Sequence, residues 1–427
     1  MEIAYESTYL PNGLCVLAHR DSSLKTARVF LGYKVGSCHE QPGSTGVAHL
    51  LEHLMFEGTP RYPHFDTLIQ KAGGASNAFT SQDFTCYYES LPDENLEVAL
   101  TLEADRMLNA ALTDEKIEIQ KKVVLEEFKE RYINNPYGDV WHLLRALCFP
   151  DHPYAWPVIG QSLEEVAGLT PETIRSFHKT YYRPDKARLV IVSCRPEAEV
   201  LELACRHFEH IKRRGSVSKK KHEWPSTYIS PEKIKLKRKK VVRDVPDPVL
   251  YLCWHMPSVE FTINTMAHLL AELLSGSESS YLYARLVREK PLFTALQAFH
   301  LEGKLGGLFV ISGRLKAHVS FSEAEENILK ALEELAKEFL NKDRLERVKN
   351  MYRTAKAFEL VQPSERAQRL LWYQLLFGNA AIEARDDEIL ESTRVEDLTY
   401  IINSFLDPEQ RFVLEYETAS RLRQSSP

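Results

Sequence analysis

The chain repeats itself over a long distance. Residues 48–58 read AHLLEHLMFEG and residues 267–277 read AHLLAELLSGS. An alternating apolar stretch of strand type precedes each copy, Ala27 to Val35 in the first and Val249 to Met256 in the second. Strand, loop and helix thus recur about 220 residues apart. That spacing is too long for a solenoid and predicts two similarly folded halves of roughly 200 residues each. A chain of 427 residues also exceeds what one hydrophobic core ordinarily supports.

The two copies differ where chemistry is possible. The first carries His49, Glu52 and His53 in the run HLLEH. On a helix, positions four apart lie one turn above each other, so both imidazoles can address one ion while Glu52 reaches beside them. This is the residue set of HExxH with the order inverted to HxxEH, and it predicts a zinc site with its own base and metal-assisted hydrolysis. In the second copy His268 keeps the place of His49, but Ala271 stands for Glu52 and Glu272 for His53. The second half has lost the site.

Between the halves the composition shifts. Arg213, Arg214, Lys219 to Lys221 and Lys237 to Lys240 crowd a stretch punctuated by Pro225 and Pro231. It reads as a linker followed by a strand whose lysines face solvent. The expected domains are 1–211, carrying zinc; 212–244, the basic linker and first strand; and 245–427, a homologous inactive counterpart. Within the first half, strands are expected near Thr8 to Ala18, Ala27 to Val35, Asn77 to Ser81, Thr85 to Ser90 and Lys186 to Ser193. Helices are expected at Gly46 to Phe56, Pro63 to Ala72, Asn95 to Leu108, Thr113 to Tyr132, Val140 to Leu147 and Pro171 to Tyr181. Helices in blocks between antiparallel strands indicate an α+β fold, two similar α/β sandwiches with antiparallel-rich sheets.

Composition excludes several classes. A net charge of −6 with 27% charged residues gives no global reason to expect nucleic acid as a partner. No apolar run approaches the roughly 20 residues of a membrane span. The first residues, Met1 to Glu6, have neither the basic start nor the apolar stretch of a secretory signal. Seven cysteines, scattered and never in CxxC pairs, fit unpaired thiols in a reducing compartment such as the cytoplasm.

Two histidines do not complete a catalytic zinc site, which takes three protein ligands and leaves a fourth position open. The richest source of a third is the helix-type segment 116–132, with Glu126, Glu127 and Glu130. Spacing alone does not separate the three.

The HxxEH helix, the following Phe56-Glu57-Gly58-Thr59 and the later Val123-Val124-Leu125-Glu126-Glu127-Phe128 resemble the pitrilysin family, the inverzincins. The resemblance continues through Gly73 to Thr80, Asp83 to Tyr88, His152 to Gly160, Phe177 to Pro184 and Tyr281 to Lys290. The length is similar to the half-length branch that includes the mitochondrial processing peptidase. The resemblance implies that Glu127 is the third ligand, for one Zn2+ per chain, and that Glu52 is the general base. It further implies that an extended peptide substrate pairs with the strand edge at Asn77, Ala78 and Phe79, with weaker claims for Asp83 and Tyr87.

Two positions depart from the family pattern. Gln120 stands where a second Glu often precedes the ligand by seven residues; as an outer-shell residue it carries no charge. Arg288 is present to hold the substrate carbonyl, but Thr294 and Ala295 stand where a Tyr would follow it. The expected function is therefore a zinc endopeptidase acting on unfolded or short peptides. The other class is a non-catalytic scaffold or partner subunit of a related complex, against which the intact residue set argues. Full-length relatives close two such units into a shell, so a dimer is expected. The missing Tyr favours a heterodimer with a related chain over a homodimer.

Overall fold

Two sheets of matching strand order account for the long-range repeat. The computed structural model describes residues 3–212, 236–258 and 261–424. The first sheet has the order β1 (Glu6–Tyr9), β2 (Cys15–Arg20), β6 (Ala187–Ser193), β3 (Thr26–Tyr33), β5 (Thr85–Pro92), β4 (Ala75–Thr80). The second runs β7 (Lys237–Arg243), β11 (Phe412–Thr418), β8 (Val249–Met256), β10 (Gly307–Leu315), β9 (Phe293–Leu301). With β1 set aside, both sheets open on a parallel pair, β2 with β6 and β7 with β11, and continue through three antiparallel pairs. The two-fold, antiparallel-rich α+β architecture expected from the repeat is observed.

The helices of the first 212 residues are α1 (Val47–Met55), α2 (Phe65–Lys71), α3 (Leu96–Asn109), α4 (Asp114–Phe128), α5 (Val140–Cys148), α6 (Leu163–Ala167), α7 (Pro171–Tyr181) and α8 (Glu197–Phe208). Those that follow are α9 (Phe261–Ser275), α10 (Tyr281–Tyr283), α11 (Phe321–Glu334), α12 (Lys342–Glu359), α13 (Pro363–Leu376), α14 (Arg385–Ser392), α15 (Val395–Phe405) and α16 (Ala419–Gln424). Helix α1 lies between β3 and β4 in the chain, and α9 between β8 and β9, so His49 and His268 occupy equivalent places in the two sheets' topology. Among the described residues no helix is long and apolar enough to cross a membrane.

Two expected elements differ. The single strand over Thr8 to Ala18 is two, β1 and β2, joined by a turn at Pro11-Asn12-Gly13. Gly13 has φ +91 and donates its N–H to the Leu10 carbonyl, so this is turn chemistry that an apolar alternation overlooks. The helix over Thr113 to Tyr132 ends at Phe128 and continues as a wider π turn, Lys129–Ile133. The basic stretch at 213–235 lies outside the described residues. The strand after it, β7, leaves Lys237, Lys239 and Lys240 exposed and buries Val241, as expected.

The compact units are not the contiguous stretches 1–211 and 245–427. One comprises Met1–Arg131, Trp156–Lys221 and Ala357–Ala384; the other comprises Tyr132–Ala155, His222–Lys356 and Arg385–Pro427. Helix α5 buries Val140, Leu144 and Cys148 and packs on β11 and β8, while α13 packs on β6 and β3. Gly32 of β3 permits the latter, since a Cβ there would lie 2.8 Å from the Leu375 side chain and 2.9 Å from that of Leu371. Arg366 adds an ion pair with Asp21 at 2.7 Å. The physical reason for the difference in extent is that periodicity shows a helix has an apolar face without showing which sheet covers it.

Beneath the C-terminal end of α1 lies a fully buried ionic cluster. Arg106 of α3 is ion-paired with Glu103 and, at 3.5 Å, with Glu89 of β5. Its guanidinium lies over the rings of Phe65 at 4.2 Å, Tyr87 at 4.4 Å and Phe56 at 5.5 Å. Burial, with the charge of Glu103, pushes the Glu89 carboxyl well up. Removing Arg106 would leave the buried Glu103 and Glu89 side chains without their charged partner. Arg106→Leu is therefore expected to lower unfolding free energy by about 3 kcal/mol or more. Urea denaturation checks it, and an unchanged midpoint would contradict the assigned role.

Candidate metal centre

The burial pattern of α1 fixes which of its faces is chemical. Val47, Ala48, Leu50, Leu51, Leu54 and Met55 are buried, which leaves His49, Glu52, His53 and Phe56 as a half-buried stripe at helical spacing. The helix packs against α4, α7 and β4. On α4 the buried residues Ile117, Lys121, Val124 and Phe128 form the anchoring face and set Glu127 at its margin, only 15% exposed. Glu126 turns outward, 74% exposed and paired with Lys129, and Glu130 is exposed. Of the three glutamates that spacing leaves open, Glu127 is the one that faces the histidines.

One donor atom from each of His49, His53 and Glu127 lies within 4.8 Å of the others. Nε2 of His53 is 3.3 Å and Nε2 of His49 is 3.7 Å from the Glu127 carboxylate. Among the described residues this is the sole group of three or more potential ligands arranged in this way. Burial lowers the His49 pKa to about 4, with the neighbouring His53 adding to the shift, so its imidazole is neutral. Burial pushes the Glu127 carboxyl up, but His53, His49 and Arg131 together hold it below its ordinary value. Two imidazoles and one carboxylate form the His2Glu donor set that suits a catalytic zinc, and residues of this chain supply all three.

Glu52 points beside this group and accepts a hydrogen bond from Thr80 Oγ at 2.5 Å. Burial raises its pKa. Thr80 is a functional candidate that the sequence does not single out, and no local pattern marks it. It ends β4, whose other residues include Asn77, exposed, and Ala78 and Phe79, half-buried. Within its sheet β4 pairs only with β5, and its second edge is unpaired among the described residues. Asn77 accepts a hydrogen bond from the N–H of Ala78 at 2.8 Å.

The remaining expected site residues lie outside this group. The Gln120 amide donates to Glu57 at 2.6 Å and bonds none of the three potential ligands; seven residues on an α-helix span about 10 Å of axis, more than its side chain bridges. Tyr87 is fully buried in the core, against Tyr33 and Arg106. Asp83 sits near the Cys38 thiol at 3.6 Å, in the turn after β4. Arg288 is exposed in the other unit, on the turn Ala284–Glu289, and Thr294 and Ala295 are exposed on the edge strand β9. There His268 faces His300 with ring centroids 5.1 Å apart.

The start of α1 has an unusual support. Gly46, the residue before it, adopts φ +89 and offers no side chain to cap the helix. The Glu40 carboxylate accepts the N–H of Gly46 at 2.9 Å and that of Ala48 at 2.8 Å, one on each oxygen. Burial pushes this carboxyl up, to about 8, against the pull of those two amides. Glu165 in turn accepts from both the N–H and the hydroxyl of Thr45.

Comparison with known proteins agrees with this geometry. Residues 15–149 match the family model described as insulinase (peptidase family M16), and residues 168–352 match the peptidase M16 inactive domain. The zinc protease PqqE of Helicobacter pylori is 30% identical over 354 residues, covering 81% of this chain and 78% of that protein. The chain belongs to peptidase family M16. A crystal structure of a Helicobacter pylori protease superposes with a TM-score of 0.90 at 26% identity, over 97% of this chain and all of that one. The mitochondrial-processing peptidase subunit beta of Caenorhabditis elegans is 28% identical over 273 residues, 63% of this chain and 57% of that protein. This M16 chain thus matches relatives over most of their own length. The insulinase model spans His49 to Glu127, whereas the inactive-domain model spans Ala271 and Glu272, where the second copy of the motif is lost.

Proposed function

We propose that this chain is a zinc-dependent endopeptidase that cleaves unfolded or short peptides. The observation that carries the reading is the convergence of His49, His53 and Glu127 within 4.8 Å, with Glu52 on the same helix face. A zinc ion held by these three would lower the pKa of a water molecule and polarise the scissile carbonyl. Glu52, oriented by Thr80, takes the proton of the attacking water and passes it to the leaving amine. A peptide in extended form adds to the open edge of β4, so its backbone runs along Asn77, Ala78 and Phe79 toward Thr80 and Glu52. Backbone pairing recognises extension more than sequence, which suits unfolded substrates. Seven unpaired thiols, five of them buried, support a reducing compartment.

Metal analysis combined with cleavage of an unstructured peptide tests the reading. One zinc per chain is expected, with cleavage abolished by a chelator and restored by added zinc. A folded chain that binds no zinc and cleaves nothing would leave only the scaffold role.

We also propose that the working form is a dimer. A catalytic cleft gains when a facing half excludes water and contributes substrate contacts. Thr294 and Ala295 stand where a Tyr would pair with Arg288, so the preferred partner is a related chain that supplies one, with the homodimer as second choice. Mass measurement in solution, paired with an activity assay of the isolated chain, distinguishes these forms. Full activity from a monomer would refute the dimer, and full activity from a homodimer would refute the preference for a second chain.

A further inference from the structure

A helix N-terminus is a poor place for a cation. Its unpaired N–H groups and the macrodipole favour negative charge. Yet His49 stands in the first turn of α1, as its third residue, and is one of three side chains converging on a candidate dication site. One need follows directly, a cap for the free N–H groups at the turn that carries His49.

The usual solution is closed to this helix. Serine, threonine, aspartate or asparagine in the capping position would serve, but Gly46 occupies it at φ +89. A Cβ at that residue would lie 2.6 Å from the Ile159 carbonyl oxygen and 2.9 Å from the Val166 side chain. No side chain fits, so the cap comes from elsewhere. Glu40, 4% exposed, delivers one carboxylate oxygen to the N–H of Gly46 and the other to the N–H of Ala48, the residue before His49. Both oxygens of the Glu40 side chain are thus taken up by backbone donors at the head of the helix.

We propose that Glu40 is a positioning residue of the hydrolytic centre, which sets zinc affinity by capping the start of α1 and so holding the turn that carries His49. The inference rests on the zinc reading above and goes beyond it. Glu40 touches neither metal nor substrate. Its action runs through the backbone that carries His49.

The test measures zinc dissociation constants by chelator competition and thermal midpoints of the metal-free protein, in parallel for the parent chain and three variants. Glu40→Gln turns an amide N–H2 toward one of the two backbone donors and so breaks half of the cap; zinc binding should weaken by about tenfold or more, in the range lost when a residue that orients a metal ligand is changed. Glu40→Asp keeps two acceptor oxygens but shortens the reach, and should weaken binding less. Should the glutamine variant fail to fold, the aspartate variant still decides the matter. Glu165→Gln loosens Thr45 at the same end of the helix without touching the amides of Gly46 or Ala48; it should lower the midpoint and leave zinc affinity near the parent value. Parent-like zinc affinity in both Glu40 variants overturns the proposal, even where their midpoints fall, because Glu40 would then serve only the fold. Absence of zinc binding by the parent chain would instead overturn the zinc reading itself.

Discussion

Glu52→Gln is expected to keep one zinc per chain and to lose roughly 10²–10⁴ of the peptidase rate, the contribution of a positioned general base. The substitution is isosteric and its amide oxygen can still accept from Thr80, so the residue should stay where the carboxylate lies. What disappears is the basic oxygen that takes a proton from water. All three candidate ligands are left intact, and zinc content should not change. Loss of zinc from the folded variant would mean that Glu52 is itself a ligand. Retention of full activity would mean that the base lies elsewhere.

Glu127→Gln is expected to weaken zinc binding by more than the roughly 10–100-fold that loss of an outer-shell partner costs, since it takes the only carboxylate from the donor set. Glu126→Gln and Glu130→Gln should bind zinc as the parent does. Those two side chains are exposed, and Glu126 is occupied by Lys129 on the surface. The comparison is internal to one stretch of helix, so differences in helix propensity among the three variants are negligible. Tight zinc binding by the Glu127 variant would overturn the ligand assignment, and loss at Glu126 or Glu130 would move it.

Much of this centre is legible in the amino-acid sequence. The i, i+4 spacing of His49 and His53, with Glu52 between, identifies one helix face, because side-chain direction on a helix follows from residue count alone. The repeat of that helix in a strand-loop-helix context likewise announces two similar halves, and the matched strand orders of the two sheets bear it out. The third ligand is harder. Glu126, Glu127 and Glu130 share one charged helix, and the family resemblance rather than spacing points to Glu127. The structure favours the same residue on different grounds, through the burial of Val124 and Phe128 that rotates α4 toward α1. Thr80 and Glu40 are not legible at all. Thr80 acts on α1 across 28 residues of chain and Glu40 across 6. A threonine at a strand end or a lone glutamate in a loop has no periodicity to betray it.

The sequence by itself determined the local matters: the two imidazoles and the base on one turn of helix, the loss of that set in the second copy, the α+β class and the approximate helices. These depend on contacts a few residues apart, where backbone geometry leaves little freedom. Only the tertiary structure decided which glutamate faces the histidines, that Gln120 serves Glu57, and that α5 and α13 each complete a sheet far from their neighbours in sequence. Those outcomes follow from burial of apolar faces, which is non-directional. An amphipathic helix declares that it must be covered, and only the assembled fold declares by what.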